Sequence, residues 1–163
     1  MPTQHDGRIA LVTGAGKSTG LGVAVSAALA RSGMRVLLTA RRGADASARA
    51  AALAADGLSV EGVELDVADP QSARGVADSI ERRFGRLDVL VNNAGGVEGY
   101  GEKPSTIALD MVRRQLELNL IGAWTTSQAF LPLLQRAAPG RLVHVGSGAG
   151  SHADTGFGLA TGA

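Results

Sequence analysis

The sequence contains no cysteine, which excludes a disulfide framework, a thiolate nucleophile and Cys-ligated zinc, and agrees with a reducing compartment. Aromatic residues are scarce at 3%: three Phe, one Trp and one Tyr. A core must therefore be built from Ala, Val and Leu, and any mechanism that needs a tyrosine has one candidate, Tyr100. A surplus of one charge sign is also lacking. Sixteen Lys and Arg against fifteen Asp and Glu leave +1, so no global field draws the chain to nucleic acid or anionic lipid, and a small polar ligand is the expected partner. No apolar run approaches the roughly 20 residues of a membrane span, and residues 1–8 lack the apolar stretch of a signal peptide. The expected setting is cytoplasmic, without a membrane partner.

What is present suffices for one fold. The 163 residues are 45% hydrophobic and 19% charged, ordinary values for a chain that buries a core, and residues 1–163 are expected to form a single domain. Short apolar runs alternate with longer Ala-rich amphipathic runs, the pattern of βαβ units around a parallel sheet. Strands are expected at 9–13, 36–39, 60–67, 87–91 and 142–145. Helices are expected from 21 to 32, from 45 to 55, from Asp69-Pro70 to about 84 and over 107–135, with Pro132 tightening or ending the last. Residues 146–163, rich in glycine and of low complexity, are expected to form a loop. The fold class that follows is a doubly wound parallel α/β sheet in three layers.

In such a sheet ligands bind beyond the carboxyl ends of the strands, and the unusual polar clusters all lie there. The first strand is followed by Thr13-Gly14-Ala15-Gly16-Lys17-Ser18-Thr19-Gly20-Leu21-Gly22. Glycines let backbone approach a pyrophosphate at a helix N-terminus, and the alternative reading is a loop that needs glycine only to turn. Gly16-Lys17-Ser18 resembles the end of a P-loop, but Leu11 stands where that motif needs glycine. After the second strand come Arg41 and Arg42, with the first carboxylate only at Asp45. An acid there would suit a ribose 2′-hydroxyl, and arginine suits a 2′-phosphate, so Arg41 argues for NADP over NAD, with Lys17 as a second cation.

Asp66-Val67 ends the third strand, and Asn92-Asn93-Ala94-Gly95 the fourth, with small residues that allow close approach. Asn119 interrupts an apolar helical run, where its amide must find partners: a water or carbonyl inside a site, or a satisfied core contact. Ser147 follows the fifth strand. No carboxylate, His144 and Ser147 spacing supports a hydrolase triad, and no metal site is expected.

In order, these motifs resemble the short-chain dehydrogenase/reductase family. The resemblance implies a Rossmann-like sheet, a nicotinamide cofactor and hydride transfer with a small carbonyl or secondary alcohol. By position it implies that Gly14, Gly20 and Gly22 bind the pyrophosphate, Arg41 the 2′-phosphate, and Asp66 and Val67 the adenine, with Lys17 and Leu21 of the same loop also expected at the cofactor. Asn92, Ala94 and Gly95 would line the nicotinamide side; Asn119 resembles the asparagine of the proton relay, and Ser147 the serine that bonds the substrate oxygen. Two features depart from the family. Its glycine loop is commonly two residues shorter, and its proton donor is a tyrosine about a dozen residues after the serine, with a lysine four further on. Residues 151–163 contain neither, and Tyr100 precedes Asn119 and Ser147. The expectation is a chain whose sheet is incomplete on its C-terminal side, with catalysis impaired or replaced by dinucleotide binding alone, and with a possible homo-oligomer.

Overall fold

The computed structural model describes residues 7–99 and 101–148. Five apolar runs form one parallel sheet: β1 (Ile9–Val12), β2 (Arg35–Ala40), β3 (Val60–Glu64), β4 (Val89–Asn92) and β5 (Arg141–His144). Between them run α1 (Leu21–Arg31), α2 (Gly43–Ala55), α3 (Pro70–Phe84), α4 (Leu109–Leu116) and α5 (Gly122–Gln135). The strand order is β3-β2-β1-β4-β5. The chain lays strands outward on one side of β1, then crosses to the other side, which makes the fold the expected doubly wound one. That reversal opens a crevice between the carboxyl ends of β1 and β4.

β1 is apolar on both faces because both are covered. Ile9 and Leu11 pack with Ile80 of α3 and Phe130 of α5, while Ala10 and Val12 pack with Ala30 and Met34 on the α1 side. This period-2 division produces three layers. Where aromatics are scarce, alanine permits close approach: Ala27, Ala40 and Ala46 join Leu38 and Leu53 between α1, α2 and the sheet. The start of α3 is the expected one, with Asp69 accepting from the Gln71 N–H at 2.9 Å and Pro70 in the first turn.

Three boundaries differ from the periodicity. β3 stops at Glu64 because Asp66 turns the chain, its Oδ1 accepting from the Ala68 N–H at 3.0 Å while its own N–H donates to Ser72 Oγ at 3.0 Å. The helix expected over 107–135 starts at Leu109 and is divided by a π-helical segment at Glu117–Ile121, which carries Asn119. Pro132 does not end it; α5 continues to Gln135, held by buried Leu133 and Leu134. β5 is exposed along its length, and Leu142 of β5 with Leu120, Trp124 and Leu131 lines an apolar groove of about 550 Å³. Among the described residues no helix is long and apolar enough to cross a membrane.

Candidate functional site

Two loops leave the sheet at the crevice, one after β1 and one after β4. Thr13, only 1% exposed, joins them: its Oγ1 accepts from the Asn93 N–H at 3.0 Å and the Ala94 N–H at 2.9 Å. Asn93 answers with its amide, Nδ2 donating to the Thr13 carbonyl at 2.8 Å and to that of Gly14 at 3.3 Å. These bonds bring the backbones so close that side chains are excluded. Gly14 has φ +72, and a Cβ there would lie 2.4 Å from Ala94 Cα; one on Gly22 would lie 2.7 Å from Asn93 Nδ2. The two glycines therefore serve the contact between the loops as well as any ligand. Thr13 and Asn93 stand in the two sequence motifs, but the motifs did not show that they bond to each other; Thr13 is the one polar residue of its apolar run.

Lys17, Ser18 and Thr19 form a turn closed by the Gly20 N–H donating to the Lys17 carbonyl at 3.1 Å. Gly20 then precedes α1, whose first turn has no side-chain cap and no acidic residue. At α3 and α2 carboxylates take this position, Asp69 at the first and Glu64, which accepts from the Gly43 N–H at 2.8 Å, at the second, whereas α4 like α1 has no side-chain cap. An uncapped, glycine-lined helix start at the crevice fits a pyrophosphate. Leu21 opens α1 and is 55% exposed.

The Ala15 N–H donates to the Thr39 carbonyl at 2.7 Å, which holds the glycine loop beside the end of β2. Arg41 and Lys17, both exposed, stand at this edge of the sheet. Arg42 is engaged with Asp45. On the far side of β2, Val67 is buried and packs against Gly122 of α5, while Asp66 stays partly exposed at the end of β3.

Asn92 is placed differently from its neighbours. Its amide is 5% exposed and faces α5: Nδ2 donates to the Ala123 carbonyl at 3.2 Å and Ser127 Oγ at 2.9 Å, and Oδ1 accepts from Thr126 Oγ1 at 2.7 Å. The side chain thus cross-links sheet and helix. Asn92→Leu is expected to lower stability by about 1–3 kcal/mol in urea unfolding and leave dinucleotide affinity unchanged, since Thr126 and Ser127 keep helix carbonyls as partners. A weakened affinity at unchanged stability would instead assign the amide to the ligand.

Asn119 binds the loop after β4 with both ends of its amide: Oδ1 accepts from the Gly96 N–H and Nδ2 donates to the Gly96 carbonyl, each at 2.9 Å. Gly95 is needed for that contact, since a Cβ there would lie 2.9 Å from Asn119 Oδ1. Gln115 receives a further bond from Nδ2 and holds the Glu98 carbonyl through Nε2, both at 2.9 Å. The π-helical turn adds a residue to the helix at this point, and such turns recur at functional sites. Ser147 lies three residues beyond β5 and is exposed at the same edge. The segment 149–163 and Tyr100 lie outside the described residues.

With this geometry in place, the comparisons with known proteins agree with one another. The sequence model described as short chain dehydrogenase matches residues 8–159. The chain is 37% identical over 153 residues to 1-deoxy-11-beta-hydroxypentalenate dehydrogenase of Streptomyces arenae, covering 90% of this chain and 54% of that protein. It is 39% identical over 167 residues to short-chain dehydrogenase/reductase 1 of Saponaria officinalis, covering 88% and 54%. A metagenomic short-chain oxidoreductase solved in complex with NADP superposes with a TM-score of 0.78 at 31% identity, covering 87% of this chain and 63% of that one. The chain spans about half the length of the curated relatives it matches.

Proposed function

This chain belongs to the short chain dehydrogenase family, and from that premise we propose that it binds NADP in preference to NAD, as the cofactor-holding part of an oxidoreductase acting on a small carbonyl or secondary alcohol. The observation that carries the reading is the crevice at the β1–β4 reversal: an uncapped helix start and a glycine loop pinned to the loop after β4, with Arg41 and Lys17 at the adjoining strand end. A nicotinamide dinucleotide, when bound, supplies or accepts the hydride. The chain's own residues do the rest: α1 and the glycine loop hold the pyrophosphate, Arg41 and Lys17 neutralise a 2′-phosphate, and Asp66 and Val67 border the adenine. Ala94, Gly95 and Gly96 leave room for the nicotinamide because Asn119 holds their loop in place. Ser147 offers a hydroxyl to the substrate oxygen. The NADP complex of the metagenomic relative supports the choice of cofactor.

Residues 1–163 have no tyrosine after Ser147 and no lysine after Lys103. For these residues we propose dinucleotide binding with impaired turnover, in a cytoplasmic setting and compatible with a homo-oligomer. Calorimetry on the 163-residue polypeptide tests it. NADPH should bind more tightly than NADH, by about tenfold for one well-placed charged contact, and Arg41→Ala should bring the two affinities together. Absence of binding by either dinucleotide, or a preference for NADH, overturns the cofactor reading. Robust NADPH oxidation with aldehydes or ketones by this polypeptide overturns the impairment.

A further inference from the structure

The two arginines after β2 are not equivalent. Arg41 makes no ion pair among the described residues and is exposed. Arg42 is clamped on Asp45 by two parallel bonds, Nε to Oδ2 at 2.7 Å and Nη2 to Oδ1 at 3.0 Å. This is the geometry with which a guanidinium would grip a phosphate. The clamp lies against the glycine loop: a Cβ built on Gly16 would lie 3.7 Å from Asp45 Cβ and 4.0 Å from Asp45 Oδ2. On the next residue after Arg42, the opening N–H of α2, on Gly43, is also taken, by Glu64 Oε2 at 2.8 Å. Two donors beside Arg41 that suit an anion are thus already paired with the chain's own carboxylates.

We propose that Asp45 is a specificity-determining residue, which competes with the 2′-phosphate of NADP for Arg42 and thereby limits the discrimination between NADP and NAD. The inference rests on the cofactor reading above and goes beyond it by assigning opposite roles to neighbouring charges. Arg41 contributes at once. Arg42 contributes only by leaving Asp45, and when it does so it exposes a carboxylate beside the incoming phosphate. The exchange is feasible because the pair is at the surface, with the Arg42 side chain 76% exposed and Asp45 30% exposed, and exposed pairs hold weakly. Hydrogen bonding from Arg42 keeps the Asp45 carboxyl below the usual carboxylate range, so the competitor stays charged at neutral pH. NAD has no 2′-phosphate and is indifferent to the exchange.

The test is calorimetric titration of the 163-residue polypeptide and its variants with NADPH and with NADH. Asp45→Asn removes the competing charge while preserving size, and is expected to tighten NADPH about threefold to tenfold with NADH unchanged. Adding Arg42→Ala should abolish that gain, and Arg42→Ala alone, which bares the Asp45 carboxylate, should weaken NADPH and leave NADH unchanged. Glu64→Gln removes the same charge but leaves Arg42 clamped, so it should give a smaller gain than Asp45→Asn. An unchanged NADPH to NADH ratio in Asp45→Asn, or an equal gain in Glu64→Gln, overturns the role of Asp45 while the cofactor reading stands. Failure of the unsubstituted chain to bind either dinucleotide defeats both. Thermal unfolding of each variant separates a lost affinity from a lost fold.

Discussion

Gly14→Ala is expected to abolish dinucleotide binding and to cost about 3 kcal/mol or more of stability. Two effects add at this position. The backbone sits at φ +72, where an L side chain costs roughly 1–2 kcal/mol. The added methyl would also lie 2.4 Å from Ala94 Cα, which is backbone and cannot rotate away. Relief requires the loops after β1 and β4 to separate, and separation breaks the bonds from Asn93 and Ala94 to Thr13. Urea unfolding measures the stability, and calorimetry the binding. Gly57→Ala isolates the backbone term, because Gly57 has φ +77 with nothing within 4 Å of its Cβ position. That variant should lose only about 1–2 kcal/mol and bind normally. Normal binding by Gly14→Ala would show that the loops need not touch for the crevice to work.

Thr13→Val should be nearly as damaging while changing hardly any volume. Valine keeps the branched shape that fits the end of β1 but removes the oxygen that accepts from Asn93 and Ala94. The Ala94 N–H is left unpaired, at a cost of about 1–3 kcal/mol, while the Asn93 N–H keeps its second acceptor, the Val91 carbonyl at 3.1 Å. Part of that appears as global stability and part as local opening of the loop after β4. Dinucleotide affinity is expected to fall at least about tenfold, equivalent to about 1.4 kcal/mol. Thr13→Ser retains the hydroxyl and should remain close to the unsubstituted chain. Hydrogen exchange supplies the discriminating measurement, since the Ala94 amide should lose protection in Thr13→Val and keep it in Thr13→Ser, while the Asn93 amide retains the Val91 carbonyl in both. Retained Ala94 protection in the valine variant would mean that the hydroxyl does not hold the loop.

These two positions have one cause in common. The crevice is a junction between segments about 80 residues apart, and its glycines and threonine answer to each other across it. Where a motif resided in one segment, the chain was legible without its fold. Asp69-Pro70 marked a helix start because capping is local, and the apolar runs of β1, β2 and β4 marked strands because both faces of the sheet are covered there. Where a polar group finds its partner in a distant element, periodicity gave no direction. Asn92 and Asn93 are adjacent and chemically identical, yet alternate strand geometry turns the first amide into α5 and the second onto the glycine loop. Asn119 stood out as an amide among apolar residues, but its partner, Gly96, is identified only by the π-helical turn that aims it.

By itself the sequence determined the class of this protein: too few aromatics for a large ring-built core, no cysteine chemistry, a strand and helix alternation, and motifs at strand ends in the order of the short chain dehydrogenase family. Those properties depend on composition and local spacing, which survive without coordinates. Only the tertiary structure decided what each polar residue is occupied with. It divided Arg41 from Arg42, gave Asp45 and Glu64 to donors that an anion would seek, and made Gly14 a contact between loops as much as a place for a ligand. The physical reason is that a hydrogen bond or ion pair has one partner at a time, and that partner is chosen by proximity in space.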